Sequence, residues 1–118
     1  VRCKRGEVFW CNIDNSIGSE QDGTRPVVII QNDIGNKFST TTIVALGTSK
    51  CKKVNLPTHF FVSKENVEFM VMAEQVRTVS KRRLSNKIGE LDNYELKKLN
   101  KALNISLDLI EKEGVHSI

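Results

Sequence analysis

The sequence contains no apolar run approaching the ~18 residues that a membrane-spanning helix needs. It opens Val-Arg-Cys-Lys-Arg, which is charged and runs at once into strand-like sequence. No apolar signal segment is visible there, so a cytoplasmic location is expected. Histidine is scarce: His59 and His116 are the only two, and His116 stands in the C-terminal tail. A two-histidine acid–base pair is therefore not expected. The three cysteines, Cys3, Cys11 and Cys51, are odd in number and form no C-x-x-C pair. That excludes a disulfide framework or a zinc ribbon and leaves small apolar residues or free thiols in a reducing compartment. P-loop, H-E-x-x-H and G-x-S-x-G motifs are absent. The acidic residues are scattered, with no grouping suited to Mg²⁺, so neither metal nor cofactor is expected. No internal repeat or low-complexity stretch is present.

What remains is a chain of 118 residues, read as one domain spanning 1–118. Hydrophobic residues make up 39%, enough for a core, though a domain this small has little stability to spare and association with a second copy would fit it. The net charge of +4 points weakly to nucleic acid or to an acidic protein segment, so the distribution of charge must decide.

The first part of the chain is rich in strand signals. Glu7 to Ile13 is aromatic and β-branched with alternation. Arg25 to Asn32 holds Pro-Val-Val-Ile-Ile, a continuous apolar run that suggests a strand buried on both faces. Asn32 to Asn36 supplies turn chemistry. Thr40 to Leu46, His59 to Val62 and Glu68 to Val79 read as further strands. About five closely spaced strands suggest a barrel or a strongly curled sheet, and a mainly β (α+β) class.

The C-terminal segment predicts a helix. Asp92 is a good N-cap, Glu95 stands where a capping box needs it, and Leu91 and Leu96 occupy staple positions. Leu96, Leu99, Leu103, Leu107 and Ile110 form one apolar stripe for packing against the sheet. Lys97, Lys98 and Lys101 lie off it, on a solvated face.

Two segments depart from this pattern. Asp14 to Thr24 is much longer than the usual hairpin loop of about two to five residues. It is polar and carries Gly18 and Gly23, so it is either a binding loop or a plain surface connection. Arg77 to Lys87 holds Arg77, Lys81, Arg82, Arg83 and Lys87 with no acidic residue among them. Such a run is either a solvated face or, following a strand directly, a phosphate-binding rim.

Hydrolytic chemistry in this chain would have to proceed without a metal and lean on Arg, Thr, Ser or a single His. RNA cleavage satisfies that restriction. The ribose 2′-hydroxyl already neighbours the phosphorus, so the protein need only align it and stabilise negative charge on the phosphorane oxygens. Positioning supplies roughly 7–11 kcal/mol in favourable cases. One preorganised donor adds about 3–4 kcal/mol. Arginine suits the second task, being planar, always charged and able to fork onto phosphate oxygens. Composition permits this reaction without selecting it.

Several stretches are more specific. Arg5-Gly6-Glu7-Val8-Phe9-Trp10 opens the chain, and Gly18-Ser19-Glu20-Gln21-Asp22-Gly23-Thr24-Arg25-Pro26-Val27 follows. Later come Leu56-Pro57-Thr58-His59, Glu74-Gln75-Val76-Arg77-Thr78 and Lys81-Arg82-Arg83-Leu84. In this order they resemble the MazF/PemK family of toxin endoribonucleases, over nearly the whole chain from Lys4 to Ile110. The resemblance implies a small SH3-like curled barrel of about five to seven strands with a C-terminal α-helix, assembled as a homodimer. It also implies metal-independent, sequence-specific cleavage of single-stranded mRNA by 2′-OH attack, leaving 2′,3′-cyclic phosphate and 5′-OH ends. A cognate MazE-like antitoxin, acidic and disordered in its C-terminal segment, would block the RNA groove.

By the same resemblance Arg25 and Thr48 are the catalytic pair, Thr48 ending the third strand. A free arginine has a pKa above ~12, so Arg25 fits an electrostatic stabiliser better than a base. Ser19, Glu20, Gln21, Ser49, His59, Gln75, Arg77 and Arg83 are the RNA-binding candidates, with Gln75 facing a base and Arg77 a phosphate. His59 either stacks on a base or merely begins a strand. Phe38, Phe60 and Phe61 are possible stacking platforms, with at least two of them expected in the core. Three departures from the family pattern surround the expected RNA path: Gly47 in place of a larger aliphatic residue, Lys50 in place of a neutral polar one, and a short Ser63–Val67 stretch. Two other classes compete: a CcdB-like protein-binding toxin acting on DNA gyrase, and a non-catalytic RNA-binding module.

Overall fold

A computed structural model describes residues 1–13, 23–50 and 56–109. Its elements are β1 (Glu7–Asn12), β2 (Thr24–Ile29), α1 (Asp33–Phe38), β3 (Thr41–Thr48), β4 (His59–Lys64), β5 (Val67–Ser80), a 3₁₀ turn (Lys81–Arg83), β6 (Leu84–Glu90) and α2 (Asn93–Leu107). The strands form one sheet in the order β4-β5-β3-β2-β1-β6, with every pairing antiparallel. The mainly β class, the curled sheet and the C-terminal helix all match the sequence expectation.

The apolar run in β2 explains the central position of that strand. Val27, Val28 and Ile29 are each 0% exposed, so both faces of the strand are covered. Val28 belongs to a core with Val8, Ala45, Phe69, Val71 and the α2 residues Leu99, Ala102 and Leu103. Val27 and Ile29 belong to a second core, on the opposite face, with Phe9, Cys11, Val44, Leu46 and Val79. Alternation along each strand feeds the two cores in turn.

The sheet curls until its two edges approach. The Lys64 side chain at the end of β4 lies against Gly89 of β6, and its ammonium pairs with Glu95 of α2 at 2.6 Å. Bulges sharpen the twist: β1 slips register against β6 at Val8/Phe9 and Phe9/Cys11. A larger irregularity lies in β5. Leu46 of β3 opposes Met72 but the neighbouring Ala45 opposes Val76, so Ala73, Glu74 and Gln75 have no partner on β3.

Helix α2 begins as the sequence predicts. The Glu95 amide donates to Asp92 Oδ1 at 2.8 Å, and the Asp92 amide donates to Glu95 Oε1 at 2.9 Å. Leu99 and Leu103 are buried, but Leu107 is 50% exposed, so the predicted stripe leaves the sheet in the last turn. Ala102, not singled out from the sequence, is buried beside them. Ile110 lies outside the described residues.

Two elements differ from expectation. Asn32 to Asn36 forms not a turn but the start of α1, capped by Asn32 accepting from the Gly35 amide at 2.8 Å. Buried Asn36 anchors it, accepting from Thr42 Oγ1 at 2.7 Å and donating to the Gln31 carbonyl at 2.9 Å. Leu84–Glu90, not singled out as a strand from the sequence, forms one, with Leu84 and Ile88 buried and Ser85, Asn86 and Lys87 exposed.

Two glycines are required by geometry. Gly6 sits at φ +91, where L side chains are strained, and bridges two elements: its amide donates to the Ile29 carbonyl and its carbonyl accepts from the Leu91 amide, both at 2.8 Å. At Gly47 a Cβ would stand 2.7 Å from the Phe69 ring and 2.8 Å from the Pro26 carbonyl oxygen. The Phe69 ring occupies the space that an aliphatic side chain at position 47 would fill. Gly47→Ala is expected to overpack the site and destabilise by roughly 1–3 kcal/mol, with Phe69→Leu in the same chain recovering part of the loss. Thermal denaturation of the single and double variants checks this; equal Tm values for Gly47→Ala and the parent would contradict it.

Candidate active site

The β2–β3 pairing runs toward the sequence-predicted pair. Val27 opposes Leu46, Val28 opposes Ala45 and Ile29 opposes Val44. Continued two residues further, that register sets Arg25 opposite Thr48. The close approach of Gly47 to the Pro26 carbonyl shows that the strands are still in contact there. Directly opposed residues share a face, with Cβ atoms about 4.5–5.5 Å apart. On the flanking strands Cys11 opposes Arg25, Met70 opposes Thr48 and Phe61 opposes Met70. Phe61, Met70, Thr48, Arg25 and Cys11 thus form one row across the sheet, on the face of the second core.

Arg25 is half-buried, and among the described residues it makes no hydrogen bond or ion pair. Thr48 ends β3 half-buried, and its hydroxyl accepts from the Lys50 amide at 3.1 Å, which orients the side chain at the strand terminus. Ser49, next along, is exposed.

Two more guanidinium groups stand at the end of β1. Arg77 Nη1 donates to the Ile13 carbonyl at 3.3 Å, and Arg83 Nη1 to the Asn12 carbonyl at 3.1 Å. A cavity of about 140 Å³ lies between them, lined by Ile13, Arg77, Thr78, Val79, Ser80 and Arg83. Both arginines therefore hold the strand leading into the long loop. Each guanidinium has five N–H donors, and the carbonyl takes one of them. Ser19, Glu20 and Gln21 lie outside the described residues.

His59 begins β4, and its ring is not an open stacking platform. The side chain is 12% exposed, with Nε2 2.8 Å from Glu74 Oε2. Glu74 Oε1 accepts from the Thr58 hydroxyl at 2.8 Å. Gln75 beside it is exposed. The expectation that at least two of Phe38, Phe60 and Phe61 serve the core is corrected: only Phe60 is buried, while Phe38 is 77% and Phe61 47% exposed. Strand alternation turns Phe61 away from the core of Phe60 and Val62, and Phe38 sits on the outer side of a single helical turn and a half. Glu74 and Met70 were not singled out from the sequence. Glu74 was legible only as the residue before Gln75 in the E-Q-x-R-T stretch.

Burial pushes the Cys11 thiol up, against the opposing charges of Arg83 and Arg77, to about 11. Cys11 should therefore resist a thiol reagent at pH 8 until the protein unfolds. Mass spectrometry of native and denatured protein after alkylation checks this, and rapid native labelling of Cys11 would refute it. For Glu74, burial opposes the charge. Hydrogen bonds from His59, from its own backbone and from Thr58 outweigh burial and hold the carboxyl below its usual 4.5. The stability this contributes is complete above that ordinary value and disappears as pH falls through the folded-state value. The Tm difference between the parent and Glu74→Gln should accordingly shrink in acid; a difference independent of pH would exclude a charge contribution.

Similarity to known proteins follows the same outline. The family profile described as "PemK-like, MazF-like toxin of type II toxin-antitoxin system" matches residues 4–107. The chain is 46% identical over 112 residues to "Endoribonuclease EndoA" of Bacillus subtilis (strain 168), covering 92% of this chain and 97% of that protein. It is 43% identical over 119 residues to "Endoribonuclease MazF" of Staphylococcus saprophyticus, covering 98% of this chain and 94% of that protein. Among solved structures, an "Endoribonuclease in complex with its cognate antitoxin from Mycobacterial species" superposes with TM-score 0.75 at 23% identity, over 93% of this chain and 99% of that one. This last likeness concerns the fold.

Proposed function

The chain belongs to the family of PemK-like, MazF-like toxins of type II toxin–antitoxin systems, and from that membership we infer that it is an endoribonuclease, the RNA-cleaving toxin of such a pair. The observation that carries the chemistry is the β2–β3 register, which, carried two residues past its last pair, Val27 with Leu46, sets Arg25 beside Thr48. A fixed guanidinium and a hydroxyl about 5 Å apart at Cβ suit one phosphate group.

In the proposed reaction the ribose 2′-oxygen attacks its neighbouring phosphorus. The O2′–P bond forms, the P–O5′ bond breaks, and the proton lost from the 2′-hydroxyl is matched by the one the departing O5′ takes up, giving a 2′,3′-cyclic phosphate and a 5′-hydroxyl. Arg25 meets the charge that develops on the phosphorane oxygens, and Thr48 donates to a non-bridging oxygen. Because the nucleophile is part of the substrate, no bound metal need generate one. Ser49, His59, Gln75, Arg77 and Arg83, with Ser19, Glu20 and Gln21 of the long loop, are the proposed RNA contacts. For His59 the proposal is an edge contact rather than stacking, since its side chain is largely buried and its Nε2 is engaged by Glu74.

The proposal extends to a single domain that acts as a homodimer in the cytoplasm, inhibited by an acidic antitoxin segment. No helix among the described residues is long and apolar enough to cross a membrane. The basic residues that receive phosphates would equally receive a chain of Asp and Glu.

Purified protein incubated with a long RNA in EDTA should produce discrete fragments ending in 2′,3′-cyclic phosphate and 5′-hydroxyl. Arg25→Ala should abolish cleavage with Tm retained. Thr48→Val should reduce kcat by about 10²–10³-fold, the scale of losing one oxyanion donor. Intact RNA from the parent protein would defeat the reading. Failure of DNA supercoiling in its place would favour the gyrase-poisoning alternative.

A further inference from the structure

Glu74 lies in the stretch of β5 that has no partner on β3. Such a stretch lacks the ladder that elsewhere fixes backbone position. Among the described residues three contacts tie it to Thr58 and His59, where β4 begins. The Ala73 amide donates to the Thr58 carbonyl at 2.9 Å. The two Glu74 carboxylate oxygens engage the Thr58 hydroxyl and the His59 ring nitrogen Nε2, each at 2.8 Å. His59 Nδ1 is buried without a partner among the described residues, so the hydrogen bond from Nε2 to Glu74 orients the ring. Turning the ring over would exchange one unpaired buried nitrogen for another and forfeit the Glu74 bond.

Gln75 follows directly and is exposed. Val76 then resumes the ladder opposite Ala45, and Arg77 follows opposite Val44, on the face of the second core. Gln75 thus lies between the Glu74 clamp and the resumed ladder, two residues from Arg77, which is on the side of Arg25 and Thr48. An amide that reads a base edge must be held to a fraction of an ångström, and the backbone beneath this one is held only through its neighbour.

We propose that Glu74 is a positioning residue for RNA recognition: by clamping Thr58 and His59 it fixes the β5 bulge, so that Gln75 meets one base of the substrate in a set orientation. This rests on the RNA-cleaving reading of the site. Glu74 itself need not touch the RNA; it acts on binding and base choice, not on the bond-breaking step.

The test uses the full chain and short RNAs carrying the cut site mapped with the parent protein, with each base varied in turn. Glu74→Ala should raise KM about tenfold while kcat changes less than about threefold, and should relax discrimination at one base position. Gln75→Ala should relax the same position, and the double variant should be no worse than the more impaired single one. Glu74→Gln, whose amide still accepts from Thr58 and donates to the other histidine tautomer, should restore most of the affinity. Thr58→Val, which removes one anchor and leaves the charge, should shift KM at the same position by a smaller factor and keeps the test open should Glu74→Ala fold poorly. Parent-like KM and base discrimination in both Glu74→Ala and Thr58→Val would overturn the proposal. So would a fall in kcat alone, or relaxation at a base that Gln75→Ala leaves untouched. Absence of any cleavage by the parent would instead bring down the RNA-cleaving reading, and this one with it.

Discussion

The antiparallel pairing of β2 with β3 is the constraint on which the molecule depends. Val27, Val28 and Ile29 are sealed on both faces, two facing one core and one the other. A slip of one residue would exchange the two cores, so the register has no neighbouring alternative. Arg25 and Thr48 inherit their positions from that register. Neither needs a mutual bond to stay beside the other; the hydrocarbon beneath them does the alignment. The contact between Gly47 and Pro26 carries the alignment to the end of the strands.

The guanidinium groups around this pair divide their work. Arg77 and Arg83 bind backbone carbonyls of Ile13 and Asn12, which ties the exit of β1 to the far end of β5 and the turn after it. Arg25 has no such tie among the described residues. One positive field therefore contains both fixed and available donors. An RNA backbone and an acidic peptide present the same charge to such a surface, so substrate and inhibitor can compete without contacting identical atoms.

Much of this was legible in the residues. The Pro-Val-Val-Ile-Ile run announced a strand covered on both sides, and Asp92 with Glu95 announced the start of α2 with both reciprocal bonds. The pairing of Arg25 with Thr48 came from family resemblance, since no local pattern encodes which strands become neighbours. Short elements were harder. Helix α1 has six residues, too few for a period of 3.6 to show, and its capping asparagine reads equally as a turn. Strand β6 was hidden because its lysine and asparagine side chains outweigh Leu84 and Ile88 in composition. The Glu74 clamp could not be read at all: Thr58 and Glu74 are sixteen positions apart, and the β4–β5 pairing brings them together.

The curl of the sheet closes at β4 and β6 through a lysine stem against a glycine, its ammonium paired to α2, not through a ladder of amides. A barrel joined in this way has a margin that can part while every interstrand bond survives. The strand order sets that margin two strands from β3 on one side and two from β2 on the other. Breathing at the rim is thus absorbed by β5 and β1 before it reaches the centre. The fold joins a compliant border to a stiff middle, and slow amide exchange should be concentrated in the two strands that carry Arg25 and Thr48.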